Sequence, residues 1–272
     1  MTKCHKWLNC SDLLVVHEKN IIGYGAVKDV FLAFWNNHIV ACNKLRNEAY
    51  EKDLHHGLEM LIALNPNPNI VQLIGYCREK HIFITEYHRF NNAVAIKTLL
   101  SVYNQNSMKR RLELCINYAE ILDYIHNSPV GVRVFCDSND LQKLLSQLLV
   151  TDTFRLVLND LDALPEVKNG EGIKCGTRKI MSEFAAPEQR WNRAEKFNED
   201  VLPGYDEKTD IWKAAEVCDY FIQGPDYDVV QYMLFEIHKD CRNLDPKYRP
   251  SAFNLVNKYK EVLKEMNDHS EL

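Results

Sequence analysis

Alternation of apolar and polar side chains dominates the N-terminal part of the chain. Five segments there are rich in β-branched and aromatic residues, a composition that predicts strands. They are residues 13–22, 30–35, 38–45, 70–77 and 81–88. Asn36-Asn37 lies between the second and third segments and predicts a tight hairpin turn. We therefore expect an antiparallel sheet in this part of the chain.

Helical periodicity appears once within the sheet region and dominates the C-terminal part. Residues 50–64 predict a helix that ends at Asn65-Pro66. Its apolar face is formed by Leu54, Leu58, Leu61 and Leu64. Residues 108–127 show a strongly amphipathic pattern, which ends at Ser128-Pro129. Further helices are predicted at residues 207–223, 227–242 and 250–267.

Two apolar runs, residues 144–150 and 154–158, are separated by a short polar turn and predict a buried hairpin. Asp137 precedes the first run, and Asp160 and Asp162 follow the second. The start and the end of a hairpin lie on the same side, so these carboxylates could surround one metal–phosphate site. The alternative is that they are turn formers and helix caps, which are common uses of aspartate in loops.

Two glycines follow the first predicted strand, in the sequence Gly23-Tyr24-Gly25-Ala26-Val27-Lys28. Glycine lets backbone N–H groups approach a phosphate closely. A glycine motif that opens a helix is typical of dinucleotide-binding folds, but the segment that follows here predicts a strand. The pattern therefore indicates a loop folded over a nucleotide, although glycines are also common in ordinary hairpins.

Composition narrows the classes of function. The 272 residues are 46% hydrophobic and 26% charged, which suits a globular protein with one large domain or two lobes. The formal net charge is −5 without a block of like charge, so neither nucleic acid nor an anionic membrane is an expected partner. No apolar run long enough to span a bilayer and no signal-peptide core occur, so we expect a soluble chain as given.

Nine cysteines are scattered along the chain without a CxxC pair, so a zinc site is not expected. Each cysteine is either a buried apolar side chain or a disulfide partner. Asn9-Cys10-Ser11 is the only sequon for N-glycosylation in the sequence. Cysteines and sequon together favour a secretory compartment.

The order of the predicted elements resembles the protein-kinase fold along nearly the whole chain. Residues 85–88 (TEYH) resemble the gatekeeper and hinge that hold adenine through backbone groups, and residues 186–188 resemble the APE motif. Asp210, within residues 206–212, stands where the family's aspartate ties down the catalytic loop. Arg249 stands where the family's arginine pairs with the APE glutamate.

The kinase resemblance implies an α+β, two-lobed fold in a single domain over residues 1–272. An N-lobe of antiparallel sheet plus one helix is expected at about residues 12–88, and a mostly helical C-lobe at about residues 89–267. The implied cofactor is ATP with Mg²⁺ or Mn²⁺. The residues expected around ATP are Gly23, Gly25, Lys28, Ala41, Glu86 and His88.

The departures from the kinase pattern are equally informative. Phe135-Cys136-Asp137 replaces His-Arg-Asp, which keeps the aspartate but loses the arginine that normally receives a phosphorylated activation loop. The metal-binding asparagine corresponds to Gln142 by counting, or to Gln147 if the predicted hairpin is matched instead. Counting on from Gln147 puts Asp160-Leu161-Asp162 in place of Asp-Phe-Gly.

The lysine that binds the phosphates in most kinases is missing from its usual position on the third strand. The strand-three lysine corresponds to Asn43, and Lys44 points to the other face if the strand is regular. Lys28 replaces the third glycine of the loop, where its ammonium could reach the phosphates; the alternative is a solvated loop lysine. The helix glutamate that usually pairs with the lysine is absent, which leaves Glu59 and Glu51 as substitutes.

These departures together resemble the protein O-mannose kinase family, from about residue 4 to the C-terminus. The shared signatures are residues 25–28 (GAVK), 56–58 (HGL), 85–88 (TEYH), 136–141 (CDSNDL), 159–165 (NDLDALP), 174–176 (KCG) and 205–208 (YDEK). The resemblance implies ATP-dependent phosphorylation of the 6-hydroxyl of mannose in the trisaccharide N-acetylgalactosamine–N-acetylglucosamine–mannose on α-dystroglycan. It also implies a monomer on the luminal side of the endoplasmic reticulum; that family has a single-pass type II membrane anchor, of which this sequence shows none.

The resemblance further implies roles for individual residues around the transferred phosphate. Asp137 is the expected base for the mannose hydroxyl, and Asp140 is its rival, with capping of the inserted segment as its other role. Asp160 and Gln147 are the expected metal ligands. Asp162 is either a further metal ligand or a turn residue.

Two other functions stay open from the sequence. A pseudokinase scaffold is favoured by the missing glycine, lysine and asparagine but opposed by the retained Asp137 and Asp160. A conventional protein kinase acting on hydroxyl side chains is opposed by the missing activation-loop arginine. Sugar recognition is expected near Asp137 and the loop 166–178, where Cys175 is either a disulfide partner or a buried thiol.

Overall fold

The computed structural model describes residues 6–168, 171–176, 178–191, 194–224 and 227–270. The chain divides into two compact units, which are considered separately below. The first comprises Met1–Arg89 with Leu158–Ala163, and the second comprises Phe90–Val157 with Leu164–Leu272. Among the helices of the described residues, none is both long and apolar enough to cross a lipid bilayer.

The first unit is built on an antiparallel sheet with the strand order β1-β2-β3-β5-β4. Its strands are β1 (His17–Tyr24), β2 (Lys28–Trp35), β3 (His38–Leu45), β4 (Leu73–Cys77) and β5 (Ile82–Glu86). Asn36 and Asn37 have φ angles of 44° and 64°, as a tight turn between twisted strands requires. The predicted sheet and its hairpin are therefore present.

The predicted first strand begins too early in the sequence. Asp12–Val15 form a 3₁₀ turn, because the Asn9 side-chain oxygen accepts hydrogen bonds from the backbone N–H groups of Ser11 and Asp12. Leu13 and Val16 pack against the core of the sheet, whereas Leu14 and Val15 stay exposed, and this spacing of three suits a helical turn better than a strand.

Helix α1 (Glu51–Leu64) has the predicted leucine face, all four members of which are buried. Asn65 ends the helix, and its side-chain amide donates to the Leu61 carbonyl at 3.0 Å. The segment before β1 is fixed by a disulfide between Cys10 and Cys77 and by a hydrogen bond from Leu8 N to Ile74 O at 2.9 Å.

The second unit is mostly helical. Its helices are α2 (Ile96–Val102), α3 (Met108–His126), α4 (Leu141–Ser146), α5 (Lys208–Ile222), α6 (Tyr227–Cys241) and α7 (Ala252–Ser270). Helix α3 contacts α5 and α7, and a disulfide between Cys115 and Cys218 joins α3 to α5. The helices predicted at residues 108–127, 207–223, 227–242 and 250–267 are thus present.

Two elements of the second unit differ from the prediction. Residues 144–150 do not form one strand, because Asp140 caps α4 and only Leu148–Val150 remain extended as β6, which pairs with β7 (Leu156–Leu158). The polar connector after β5 contains α2, which was not predicted. Its Ile96 and Leu100, one helical turn apart, are both buried.

The structure shows which cysteines form disulfides and which are buried thiols, a choice that their spacing in the sequence left open. Cys136 and Cys175 form a third disulfide, so Cys175 is not a free thiol. Among the described residues, Cys42 and Cys241 are free and buried. Cys4 and residues 169, 170 and 177 of the predicted loop lie outside the described residues.

Candidate active site

In the first unit, the loop between β1 and β2 leads Lys28 into a buried position. Gly25 N donates to Lys28 O at 2.9 Å, which closes the turn, and an Arg46 guanidinium nitrogen donates to Gly25 O at 2.9 Å. Lys28 is the first residue of β2 and its side chain is only 9% exposed. The alternative of a solvated loop lysine is therefore wrong.

The Lys28 ammonium lies between two carboxylates of the segment that replaces Asp-Phe-Gly. Its Nζ is 2.6 Å from Asp160 Oδ1 and 2.5 Å from Asp162 Oδ2. Burial lowers the pKa of Lys28, but the two carboxylates outweigh it and hold that pKa above its ordinary value. We call Lys28, Asp160 and Asp162 the lysine–aspartate cluster.

Asp162 is the more buried carboxylate of this cluster. Burial raises the pKa of Asp162 to about 7; Lys28 opposes the rise and Asp160 adds to it. Gly57 on α1 lies directly against this side chain, and a methyl group at position 57 would run into the Asp162 carboxylate. A glycine is therefore needed at this point of the helix.

Asn43 and Lys44 on β3 point to opposite faces of the sheet, as the alternation of side chains along a strand predicts. Asn43 is buried, and its amide nitrogen lies 3.4 Å from both Ala41 O and Thr85 Oγ1. Lys44 faces the other side, where its Nζ lies 2.6 Å from Glu18 Oε1. Within the described part of the first unit, Lys28 is thus the lysine that meets Asp160 and Asp162.

The acids suggested as substitutes for the helix glutamate are engaged elsewhere. Glu59 pairs with Arg78 at 3.1 Å, and Glu51 faces His55 and His81. Lys28 takes its partners from the Asp160–Asp162 segment instead of from α1, which supplies a glycine at the contact point. That expectation for Glu59 and Glu51 is wrong.

The end of β5 holds the residues expected near adenine. Ala41 on β3 pairs with Thr85 on β5, and Glu86 ends that strand. The Glu86 carboxylate accepts a hydrogen bond from Gln72 N at 2.9 Å and lies 3.2 Å from His88 Nε2. Burial raises the pKa of Glu86, but His88 and the Gln72 N–H outweigh that effect and lower it overall. The Glu86 side chain thus serves to fix the segment.

In the second unit, Asp210 anchors the segment Phe135-Cys136-Asp137 as the kinase pattern implies. Asp210 Oδ2 accepts a hydrogen bond from Phe135 N at 2.9 Å and lies 3.2 Å from His126 Nε2. Lys213 is fully buried and donates to Ser138 Oγ at 2.7 Å; burial lowers its pKa, and Asp210 opposes that effect. The disulfide to Cys175 adds a covalent link beside Asp137.

Asp137 and Asp140 have different surroundings. Asp140 Oδ1 accepts from Lys143 N at 2.8 Å and so caps α4. Asp137 is 43% exposed; its Oδ2 lies 2.7 Å from Lys143 Nζ and accepts from Gln147 Nε2 at 3.2 Å. The capping role proposed for Asp140 is present, and Asp137 is the carboxylate held by a cation and an amide.

Arg249 forms an ion pair with Glu188, the glutamate of the APE motif. The Arg249 guanidinium forms a two-point contact with the Glu188 carboxylate, at 2.6 and 2.9 Å. Arg249 is buried, so this pair is shielded from solvent. Both residues were identified from the motifs, whereas Lys143 and Lys213 were missed, and Gly57 was noted only within the signature 56–58 without its contact to Asp162. Of these, Lys143 could have been found from the N-terminal cap at Asp140, three residues before it.

The donor atoms of the first unit suit a hard divalent cation. Asp160 and Asp162 offer carboxylate oxygens that already converge on one positive charge, the Lys28 ammonium. Oxygen ligands of this kind are those that Mg²⁺ and Mn²⁺ prefer. The cluster therefore fits a metal that accompanies nucleotide phosphates.

Comparison with known proteins places the chain in a family. The family model described as protein tyrosine and serine/threonine kinase matches residues 16–217. A human protein named protein O-mannose kinase is 41% identical over 98% of this chain and 79% of its own length. The chain belongs to the protein O-mannose kinase family. It is an enzyme of the kinase class, with the two-lobed α+β fold that the sequence resemblance implied.

Relatives from other vertebrates show the same similarity. The chicken (Gallus gallus) protein O-mannose kinase is 43% identical over 96% of this chain and 76% of its own length. The Xenopus laevis protein of that name is 41% identical over the same shares. Kinase membership implies the use of ATP with a divalent metal.

Proposed function

We propose that this kinase phosphorylates the 6-hydroxyl of O-linked mannose in the N-acetylgalactosamine–N-acetylglucosamine–mannose trisaccharide of α-dystroglycan, with ATP and Mg²⁺ or Mn²⁺. The observation that carries the proposal is the lysine–aspartate cluster. It provides a phosphate-binding cation where strand three has Asn43, in a chain whose relatives are named protein O-mannose kinases. We also propose that it acts as a single kinase-like domain, with its lobes at about residues 12–88 and 89–267.

In this proposal the first unit provides the groups that bind the phosphates of the nucleotide. Lys28 binds phosphate oxygens, and Gly23 and Gly25 let the loop backbone approach them. Asp160, with Asp162 beside it, binds the metal, and Gln147 is the amide ligand proposed from the second unit. A divalent ion held there would supply positive charge beside the phosphates. Ala41, Glu86 and His88 border adenine through their backbone and apolar atoms.

The second unit supplies the base. Asp137 accepts the proton of the mannose 6-hydroxyl while the oxygen bonds to the γ-phosphorus and ADP leaves. The Gln147 amide and the Lys143 ammonium hold the Asp137 carboxylate in place. Asp140 is the weaker candidate, because its carboxylate already caps α4.

One assay distinguishes this function from its alternatives. The protein is incubated with labelled ATP, Mg²⁺ or Mn²⁺, and either the trisaccharide or a mixture of hydroxyl-bearing peptides. Phosphate at mannose O6 supports the proposal. Phosphate on peptides alone supports a conventional protein kinase, and no transfer to any acceptor supports a pseudokinase scaffold.

Two variants test the base. Asp137→Asn is expected to abolish transfer while trisaccharide binding stays within about twofold of the parent value, because the amide keeps the shape but cannot accept the proton. Asp140→Asn is the matched control and is expected to keep transfer. Transfer that survives in Asp137→Asn and is lost in Asp140→Asn would move the base to Asp140.

We propose that the protein is a monomer in the lumen of the endoplasmic reticulum. The three disulfides among its described residues support this, because such bonds persist mainly in oxidising compartments. Asn9 is exposed and therefore accessible to glycosylation. Glycopeptide mapping of Asn9 after expression in animal cells, with light scattering for the mass in solution, tests both parts.

A further inference from the structure

Three side chains of the first unit converge at the start of α1, and none of them belongs to the residues proposed for ATP. Glu51 and His55 lie one helical turn apart on α1, and His81 ends the turn between β4 and β5. His55 Nε2 lies 3.1 Å from His81 Nδ1. Glu51 Oε1 lies 3.6 Å from the His55 nitrogen and 3.7 Å from the His81 nitrogen. Two imidazole nitrogens and one carboxylate oxygen thus form a near-regular triangle.

We propose that Glu51, His55 and His81 bind Zn²⁺ or a similar divalent transition-metal ion. Ligand bonds of about 2.0–2.1 Å around a tetrahedral ion put two ligand atoms about 3.3–3.4 Å apart. The three separations in the triangle lie a few tenths of an ångström on either side of that value. The expectation from the sequence that no zinc site exists rested on cysteine spacing, which says nothing of histidines from two elements.

The ligand set selects the kind of ion. Two imidazoles and a carboxylate suit Zn²⁺ and similar borderline ions, whereas Mg²⁺ prefers oxygen ligands alone. The Glu51 side chain is 51% exposed, so solvent reaches the triangle and can supply a fourth ligand. The site is therefore distinct in chemistry from the carboxylates of the lysine–aspartate cluster.

The backbone holds His81 in place for this role. Its φ is 52°, in the left-handed region that few residues other than glycine adopt. The His81 N–H donates to Arg78 O at 3.0 Å, and its carbonyl accepts from Leu45 N at 3.1 Å. The imidazoles of His55 and His81 meet edge to face with centroids 5.2 Å apart. Little rearrangement is needed for both nitrogens to reach one ion.

Binding at this site would clamp α1 to the turn between β4 and β5. Gly57, two residues after His55, is the helix residue that lies against Asp162. An ion on His55 would thus fix the turn of α1 that borders the lysine–aspartate cluster. We infer a structural role for the ion, since its ligands include none of the residues proposed for phosphoryl transfer.

Cobalt substitution tests the site directly. Untagged protein is stripped with a chelator and titrated with Co²⁺ without nucleotide, in excess Mg²⁺ to occupy oxygen-only sites. We expect one equivalent of Co²⁺ with the intense visible bands of tetrahedral cobalt, displaced by one equivalent of Zn²⁺. Weak bands of octahedral, hydrated cobalt in the parent protein would overturn the proposal, and this outcome does not depend on any variant folding.

Variants then assign the ligands. His55→Ala and His81→Ala should each weaken Zn²⁺ binding by more than the roughly 10–100-fold that loss of an outer-shell partner costs. His17→Ala, at an exposed histidine of β1, is the matched control and should bind as the parent does. Zn²⁺ should raise the melting temperature of the parent and the control but not of the two variants. Equal binding by all four proteins would show an adventitious ion and refute the site.

Discussion

Substitution of Gly57 by alanine probes the contact between α1 and the lysine–aspartate cluster. Gly57 lies in the middle of α1, where alanine would ordinarily favour the helix. The added methyl group, however, would occupy the space of the Asp162 carboxylate. That carboxylate is held at 2.5 Å from Lys28 Nζ and its side chain is 11% exposed, so it has little room to move away while keeping its partner.

The two opposing effects differ in size. Alanine in place of glycine stabilises a helix interior by about 0.8–1.0 kcal/mol. Removing one partner from a buried ion pair costs about 3–5 kcal/mol, and because Asp160 keeps its contact with Lys28, we take about half of that, roughly 2 kcal/mol. The net expectation is a loss of about 1 kcal/mol in the free energy of unfolding, together with weaker ATP binding.

A double-mutant cycle tests this reasoning. Asp162→Gly removes the obstructing carboxylate and leaves only the residue-162 Cα, 3.3 Å from the added methyl carbon, so Gly57→Ala should destabilise that variant less than the parent and stabilise it by at most about 0.8–1.0 kcal/mol. The free energies of unfolding come from guanidinium titration of all four proteins, and a fluorescent ATP analogue reports nucleotide affinity. If Gly57→Ala alone raised stability by about 1 kcal/mol and left ATP affinity unchanged, the contact with Asp162 would carry no energetic weight.

Other predictions follow from the same structure. Lys28→Met should abolish ATP-dependent transfer, whereas Lys44→Met should retain it, because Lys44 faces Glu18. Equal activity of both variants in a kinase assay would refute the role of Lys28. Asp140→Ala should lower stability by about 0.5–2 kcal/mol through loss of the α4 cap, measured by thermal and chemical unfolding; an unchanged midpoint would contradict the cap. Burial raises the pKa of Cys42 and of Cys241 to about 12, so iodoacetamide at pH 8 should label them only after unfolding, as read by mass spectrometry; fast labelling of the native protein would contradict their burial. Because the folded chain keeps these protons longer than the unfolded chain, they should also make stability fall as pH rises from about 9 towards 12.

The elements that sequence reasoning found are those whose periodicity was strong. Helix α3 and the β2–β3 hairpin were placed correctly, because each has a long regular pattern or a defined turn. Residues 144–150 were assigned wrongly, because a run of leucines has no period of its own and fits a helix or a strand equally. The Asp140 cap decides in favour of a helix at the start of that run.

The candidate site was only partly accessible from the sequence. Motifs identified Asp210 and the Arg249–Glu188 pair, since their spacing to known patterns is fixed. The partners of Lys28 were not predicted, because they follow it by more than 130 positions and come together only in the folded unit. Disulfide partners were inaccessible for the same reason, since pairing among nine cysteines is set by the fold and not by their spacing.

The disulfide between Cys136 and Cys175 lies at a segment through which phosphorylation controls many protein kinases. Many protein kinases have an arginine where this chain has Cys136. That arginine binds a phosphorylated activation loop, and other enzymes add and remove the phosphate. Here a covalent bond holds the same segment, beside Asp137. In the proposed luminal location, the segment beside Asp137 would be fixed by oxidation during folding instead of by a phosphate group that other enzymes add and remove.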